Sequence, residues 1–236
     1  MIKLESISKK FNGKEILKDV SFEVRRGERF GIFGPSGCGK TTVLRIIAGL
    51  EKPDTGKVVL RGKEVTSSKA FAQPEQRNIS FIFQDLALWP HMSVKDHLDF
   101  VLGVRISEKN QREKKIEEIL KAVNLENQLS SKPEQLSGGE KQRLALARVI
   151  AQKSDIFLLD EPYSSFDIDL KEEMQKLLWQ MHKKFNLTTV YVTHDIFEIL
   201  NFCNRVARME NGKIAEIKKP REIVKKYFYK IAKSIE

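Results

Sequence analysis

Residues 34–42 read GPSGCGKTT. Three glycines within six residues each cost about 0.5–1 kcal/mol of conformational entropy where a side chain would serve, so the segment uses their bareness. Together with Lys40 and Thr41 they match G-x-x-x-x-G-K-[ST], a loop whose exposed backbone N–H groups turn onto phosphate oxygens. Gly34, Pro35, Ser36, Gly37, Cys38, Gly39, Lys40, Thr41 and Thr42 are therefore candidate nucleotide contacts. A helix opening at the loop adds its positive end to the cradle. Lys40 would put a cation on the β- and γ-phosphates, and the Thr41 hydroxyl would ligate Mg2+.

Four further positions carry matching chemistry. IFLLDEP (156–162) sets two carboxylates after four apolar residues: Asp160 suits magnesium, and Glu161, one residue further out, suits a general base that polarises water. A helix N-cap before Pro162 would account for one acid but not for both. His194 ends TVYVT and suits a γ-phosphate contact; Gln84 follows ISFIF, and its amide could ligate magnesium or hold water. In QLSGGEKQR (135–143), Ser137 and Glu140 fit a capping box, which explains neither Gly138 nor Gly139. Two bare N–H groups and a hydroxyl at a helix start make a second anion site.

Positioning these groups on one edge requires a sheet. The runs RFGIF (29–33), ISFIF (79–83), IFLLD (156–160) and TVYVT (189–193) are short and nearly all apolar, as strands buried on both faces are. They alternate with helical patterns, so a mostly parallel α/β sheet is predicted, with ligands beyond the carboxyl ends of its strands. Alternating stretches before the loop and at GKVVLRGKEV (56–65) predict an antiparallel β subdomain. Helix signals dominate 85–152: VKDHLDFVL, REKKIEEILKAV and EKQRLALARVIAQ, the last with Leu144, Ala147 and Ala151 on one face. The expected division is one domain: a core with its β subdomain over 1–84 and 153–222, an inserted α-helical subdomain over 85–152, and a short basic tail over 223–236.

Composition narrows the classes. The 236 residues are 41% hydrophobic and 31% charged, with a net charge of +10 that suits acidic partners. No apolar run approaches the roughly 18 residues of a membrane span, and MIKLESISKKF lacks a signal-peptide core, so a cytosolic chain is expected. Cys38 and Cys203 read as free thiols, and the four histidines show no zinc-ligand spacing. EKNQREKKIEE mixes signs at helical spacing, as a solvated helix face does, and the tail reads as an amphipathic basic helix.

The glycine loop, LSGGEKQR, LLDEP, SSFD and VTHD, in this order and spanning residues 2 to about 222, resemble an ATP-binding cassette (ABC) ATPase subunit built on a P-loop NTPase core. The resemblance implies that Phe11 stacks on adenine, that Gln84 is the Q-loop glutamine, that LSGGE is the signature and that His194 is the switch histidine. It implies metal contacts by Thr41, Gln84 and Asp160, catalytic roles for Glu161, His194 and Lys40, and a head-to-tail homodimer. In that dimer Ser137, Gly138, Gly139 and Asp167 of one chain contact the ATP held by the other. Phe11 replaces the commoner tyrosine, Ser164-Ser165-Phe166-Asp167 replaces S-A-L-D, and Lys141 stands where glutamine is frequent. None removes a catalytic group.

FQDLALWPHMSVKDHL (83–98) resembles the permease-docking stretch of solute importers, and Leu88, Trp89 and Pro90 are expected to form an exposed apolar turn there. The expected partners are a second copy, membrane permease subunits contacted around Leu88–Met92, indirectly a solute-binding protein, and no nucleic acid. The place would be the cytoplasmic face of the membrane. An exporter ATPase, or a soluble cassette acting on nucleic acid or ribosomes, is the alternative; a single cassette without heptads counts against the second. Some fifteen residues follow Arg221, fewer than a C-terminal regulatory domain needs, which points to short importer ATPases such as those for oxyanions, thiamine, sulfonates or metal ions.

Overall fold

A computed structural model describes residues 1–164 and 166–226. Ser165 of the SSFD segment and residues 227–236 of the basic tail lie outside the described residues. In chain order the elements are β1 (Ile2–Phe11), β2 (Lys14–Val24), β3 (Arg29–Phe33), α1 (Lys40–Ala48), β4 (Thr55–Leu60), β5 (Lys63–Thr66) and β6 (Ile79–Ile82). Then follow α2 (Val94–Gly103), α3 (Lys109–Ala122), α4 (Gly138–Gln152), β7 (Ile156–Asp160), α5 (Ile168–Phe185), β8 (Thr188–Thr193), α6 (Ile196–Phe202), β9 (Arg205–Glu210) and β10 (Lys213–Lys218).

The four apolar runs are neighbours in one six-stranded sheet of order β10-β9-β3-β8-β7-β6, in which β3, β6, β7, β8 and β9 run parallel. Every residue of β7 and β8 is buried, as strands covered on both faces must be. Alternation along β7 sorts its side chains. Ile156 and Leu158 join a core with α1 and the antiparallel sheet β2-β1-β4-β5; Phe157 and Leu159 join a second core with α2–α6. Each such buried side chain contributes about 1.5–3 kcal/mol. The period of two carries Asp160 onto the α1 side, where magnesium chemistry is expected.

The helices α2, α3 and α4 lie between β6 and β7 in the chain. Ser93 with Asp96 caps α2 and Ser137 with Glu140 caps α4, both as capping boxes. On α3 only Ile116, Ile119 and Leu120 are buried, so its mixed charges do form a solvated face. The buried side of α4 is broader than expected, adding Gln142, Ala145, Leu146 and Val149 to Leu144, Ala147 and Ala151. The strands β9 and β10, outside the sequence expectations, extend the sheet beyond β3.

Candidate functional site

Parallel strands bring their carboxyl ends to one edge, and the chain punctuates that edge with polar residues. From β3 to β6 the order is the glycine loop, His194 after β8, Asp160-Glu161 at the end of β7, and Gln84 beyond β6. The loop leaves β3 with Pro35, Ser36 and Gly37 exposed and Cys38, Gly39 and Lys40 buried. Gly34 is required by crowding: a Cβ there would stand 2.2 Å from the Met209 carbonyl oxygen of β9. Gly39 is required by conformation as well, because it caps α1 at φ 104°, where side chains are strained, and a Cβ would meet Leu17 of β2 at 2.6 Å. Burial raises the Cys38 thiol pKa, so it stays protonated.

Lys40 is buried and folds back on the loop, donating from Nζ to the carbonyls of Gly34 (2.9 Å) and Pro35 (3.1 Å). Its ammonium lies 3.5 Å from Glu161 Oε1, while Glu161 Oε2 lies 2.8 Å from His194 Nδ1. Adjacent strands make that second contact possible. Asp160 pairs with Val192 in register, and the Glu161 N–H donates to Val192 O at 2.9 Å, so Glu161 leaves β7 beside the end of β8, within reach of His194 just beyond Thr193. Glu161 holds a left-handed backbone at φ 45°, uncommon for a side chain with a Cβ and a mark of a constrained functional turn.

Thr41 Oγ1 donates to Asp160 Oδ1 at 3.0 Å. Burial raises the Asp160 pKa, and the Glu161 charge adds to the rise against the Thr41 hydrogen bond and the nearby cations. Among the described residues no cluster of three or more His, Cys, Asp or Glu could hold a metal unaided. One hydroxyl and one carboxylate instead suit an ion that keeps water and takes its remaining oxygens from phosphate, as Mg2+ does.

The other expected contacts stand outside this group. Gln84 is exposed in a turn over 84–87 and is not drawn into the Thr41–Asp160 pair. Phe11 ends β1 on the antiparallel sheet, opposite Lys14, with its ring 42% exposed and the Lys9 ammonium 5.0 Å from its centroid. It reaches the loop through β2, whose Leu17 packs on Gly39. Asp167 caps α5, accepting from Leu170 N at 2.9 Å.

The signature glycines correct an expectation. Gly139 is not idle within its own chain: a Cβ there would stand 2.9 Å from Leu170 Cδ1, so α4 packs closely on α5 at this point. Gly138 has only ordinary contact, 3.5 Å to the Phe166 ring, and no packing reason to lack a side chain. The Ser137 hydroxyl accepts from Glu140 N at 3.2 Å.

The turn expected to expose Leu88 and Trp89 is corrected too. Both are half-buried, Leu88 against the helical core and Trp89 against three partners from α2 and α4. The indole stacks on His97 (5.4 Å), meets Phe100 edge-on (5.2 Å) and takes the Arg148 guanidinium on its face (4.4 Å). Arg148 also donates to Ala87 O at 2.8 Å. Trp89 N–H donates to His97 Nε2 (3.0 Å), so the ring's proton sits on Nδ1 and points to Ser93 O (2.8 Å). Pro90 and His91 are exposed. Beside the turn, a groove of about 470 Å³ is lined by Leu86, Phe100, Val101, Val104, Arg105 and Arg148, with Phe100 and Val104 largely exposed.

Lys171 is a site neighbour that sequence reasoning missed. One turn into α5, it pairs with Asp195 (3.2 Å) and Glu198 (3.4 Å), tying the residue after His194 to the helix that Asp167 caps. A lysine in a charged helix gives no signal of this before the fold is known.

Comparison with known proteins bears on the family and the fold. The family model described as ABC transporter matches residues 17–164. The chain is 40% identical over 222 residues to the "Probable sulfate/thiosulfate import ATP-binding protein CysA" of Chlorella vulgaris, covering 94% of this chain and 92% of that protein. It is 40% identical to the "Spermidine/putrescine import ATP-binding protein PotA" of Trichodesmium erythraeum, of whose length it spans 57%. Its fold matches a solved structure described as the dimeric structure of MJ0796, a bacterial ABC transporter cassette, with TM-score 0.82 and 32% identity over 94% of this chain and 99% of that one. The same cassette in a post-hydrolysis state with ADP and Pi matches equally well.

Proposed function

The chain belongs to the ABC transporter family, and from that premise we propose that it is the ATP-hydrolysing subunit of a membrane solute importer, closing as a dimer on ATP and opening after hydrolysis. The observation that carries the catalytic part is the Glu161 carboxylate held between Lys40 and His194, beside the Thr41–Asp160 pair.

In this reading the nucleotide's β- and γ-phosphates draw Lys40 away from the Gly34 and Pro35 carbonyls and from Glu161. The backbone of residues 34–42 and the N-terminus of α1 receive the phosphate charge. Thr41 and Asp160, with Gln84, would hold Mg2+, which when bound neutralises phosphate charge. Glu161 then accepts the proton of the attacking water, with His194 orienting its other oxygen and reaching the γ-phosphate. Phe11 stacks on adenine, keeping the face of a tyrosine without its hydroxyl. Ser137, Gly138, Gly139 and Asp167 complete the partner copy's site; Gly138, free of packing demands, is the clearest sign that the α4 N-terminus awaits an anion. Glu161→Gln is the test: ATP binding persists and turnover falls by about 10²–10⁴, the range for a general base. Unchanged hydrolysis would remove Glu161 from this role.

The division into a core (1–84 and 153–222), a helical unit (85–152) and a tail (223–236) belongs to the same proposal. The groove lined by Leu86, Phe100 and Val104 would seat an apolar helix of the permease, and residues around Leu88–Met92 would contact it as well. The chain would then sit at the cytoplasmic face of the membrane, with a solute-binding protein as an indirect partner and no nucleic acid. No helix among the described residues is long and apolar enough to cross a membrane itself. Relatives at the same 40% identity are named for a dianion and for polycations, so the cassette supplies energy while other chains choose the solute. These import names favour import over export and over a soluble role.

A further inference from the structure

Arg77 is among the largest fully buried side chains, 1% exposed, in a chain whose other arginines reach solvent or an acid. Among the described residues it has no carboxylate within ion-pair distance. A buried cation is costly unless its donors are satisfied, and here each of its three nitrogens donates, to oxygens from three segments. Nη1 donates to Ile46 O and Ile47 O, both at 3.0 Å; Nε donates to Ala72 O at 2.9 Å; Nη2 donates to the buried Thr66 hydroxyl at 2.7 Å. The Phe71 ring covers the guanidinium at 5.3 Å. Burial lowers its pKa only to about 10, so it stays charged at neutral pH.

Ile46 and Ile47 lie in the last turn of α1, the helix that begins at Lys40. Carbonyls there lack intrahelical partners and carry the negative end of the helix dipole. Gly49 N–H and Arg77 share Ile46 O, and Arg77 also takes Ile47 O. The helix stop makes room for this: a Cβ on Gly49 would stand 2.4 Å from Arg77 Nε. Two residues after Arg77, β6 begins, and the chain beyond its end leads to Gln84. Arg61, from the β4–β5 hairpin, donates to the backbone carbonyls of Arg77 and Asn78 (2.8 Å each) and pairs with Asp155 just before β7. One guanidinium thus anchors the far end of a nine-residue helix whose near end is the phosphate cradle.

We propose that Arg77 is a positioning residue for nucleotide binding. It fixes the C-terminus of α1 and supplies there the positive charge that offsets the helix's negative pole, so that the N-terminus stays aimed at phosphate. The proposal rests on residues 34–42 being the nucleotide site, which Lys40→Ala tests separately by losing MgATP binding.

The experiment is equilibrium binding of MgATP by Arg77→Gln, Arg77→Lys and Thr66→Val, at a temperature where far-UV circular dichroism shows each variant folded. Arg77→Gln is expected to bind about tenfold more weakly, equivalent to about 1.4 kcal/mol. Arg77→Lys, which keeps the charge, is expected to recover most of that loss even where its melting temperature stays low. Thr66→Val, which keeps Arg77 but removes one acceptor, is expected to weaken binding two- to threefold. Native affinity in folded Arg77→Gln would overturn the proposal, as would Arg77→Lys binding no better than Arg77→Gln. If Arg77→Gln fails to fold, unchanged affinity in Thr66→Val overturns it.

Discussion

At the scale of single residues, the site depends on which groups are held charged and which are kept neutral. Glu161 sits between two basic side chains, one of them an ammonium that nucleotide phosphates would compete for. Lys40 folds back on the loop, donating to the carbonyls of Gly34 and Pro35. Lys40→Ala therefore loses MgATP affinity, measured by equilibrium titration, and does so without unfolding, because the lysine's partners, two loop carbonyls and Glu161, all lie within the site. A second residue is governed by proton uptake. His182 is buried on α5 with Nδ1 3.0 Å from Thr189 Oγ1, and burial, with Arg29 nearby, lowers its pKa to about 4. The unfolded chain, with a value near 6.5, binds that proton more readily, so stability is full above about pH 6.5 and falls as pH drops towards 4. Thermal melts across that window should show the decline, and His182→Gln should flatten it; a flat profile in the native chain would contradict the assignment.

Among the elements, those that carry chemistry were the legible ones. The strands β3, β6, β7 and β8 announce themselves as mostly apolar runs ending in polar residues, because a sheet covered on both faces has few polar positions away from its ends. The helix starts were legible where a capping box marks them, at Ser137 and Glu140. What escaped was contact between elements distant in sequence. Nothing in WPHM reveals that His97 and Arg148 hold the indole, so Trp89 looked exposed; nothing near Gly139 reveals Leu170; Arg77 is one arginine among many until α1 is beside it. The strands β9 and β10 passed unnoticed because their charges interrupt the apolar pattern. Asp167, by contrast, tests a local rule. As the N-cap of α5 it accepts from Leu170 N, and Asp167→Ala should cost about 1 kcal/mol, or roughly 2–4 °C in melting temperature for a chain of this size. A native melting temperature would show that the cap does not stabilise α5.

The whole molecule reads as half of a machine. One edge of the sheet gathers the glycine loop, the Thr41–Asp160 pair and Glu161, while α4 sets its capped N-terminus beside α5. A groove lined by Phe100 and Val104 supplies the apolar surface that a permease helix would cover. Val104→Glu should therefore lower recovery of permease with the chain from native membranes, while capture of ribosomes or DNA would overturn the importer reading. The dimer is the central claim, and sedimentation of the Glu161→Gln chain with MgATP tests it most directly. The account predicts an ATP-dependent dimer that Ser137→Arg, added to the same chain, reduces to a monomer still binding one ATP. A double variant that dimerises as before, or a monomer that no longer binds ATP, would contradict it.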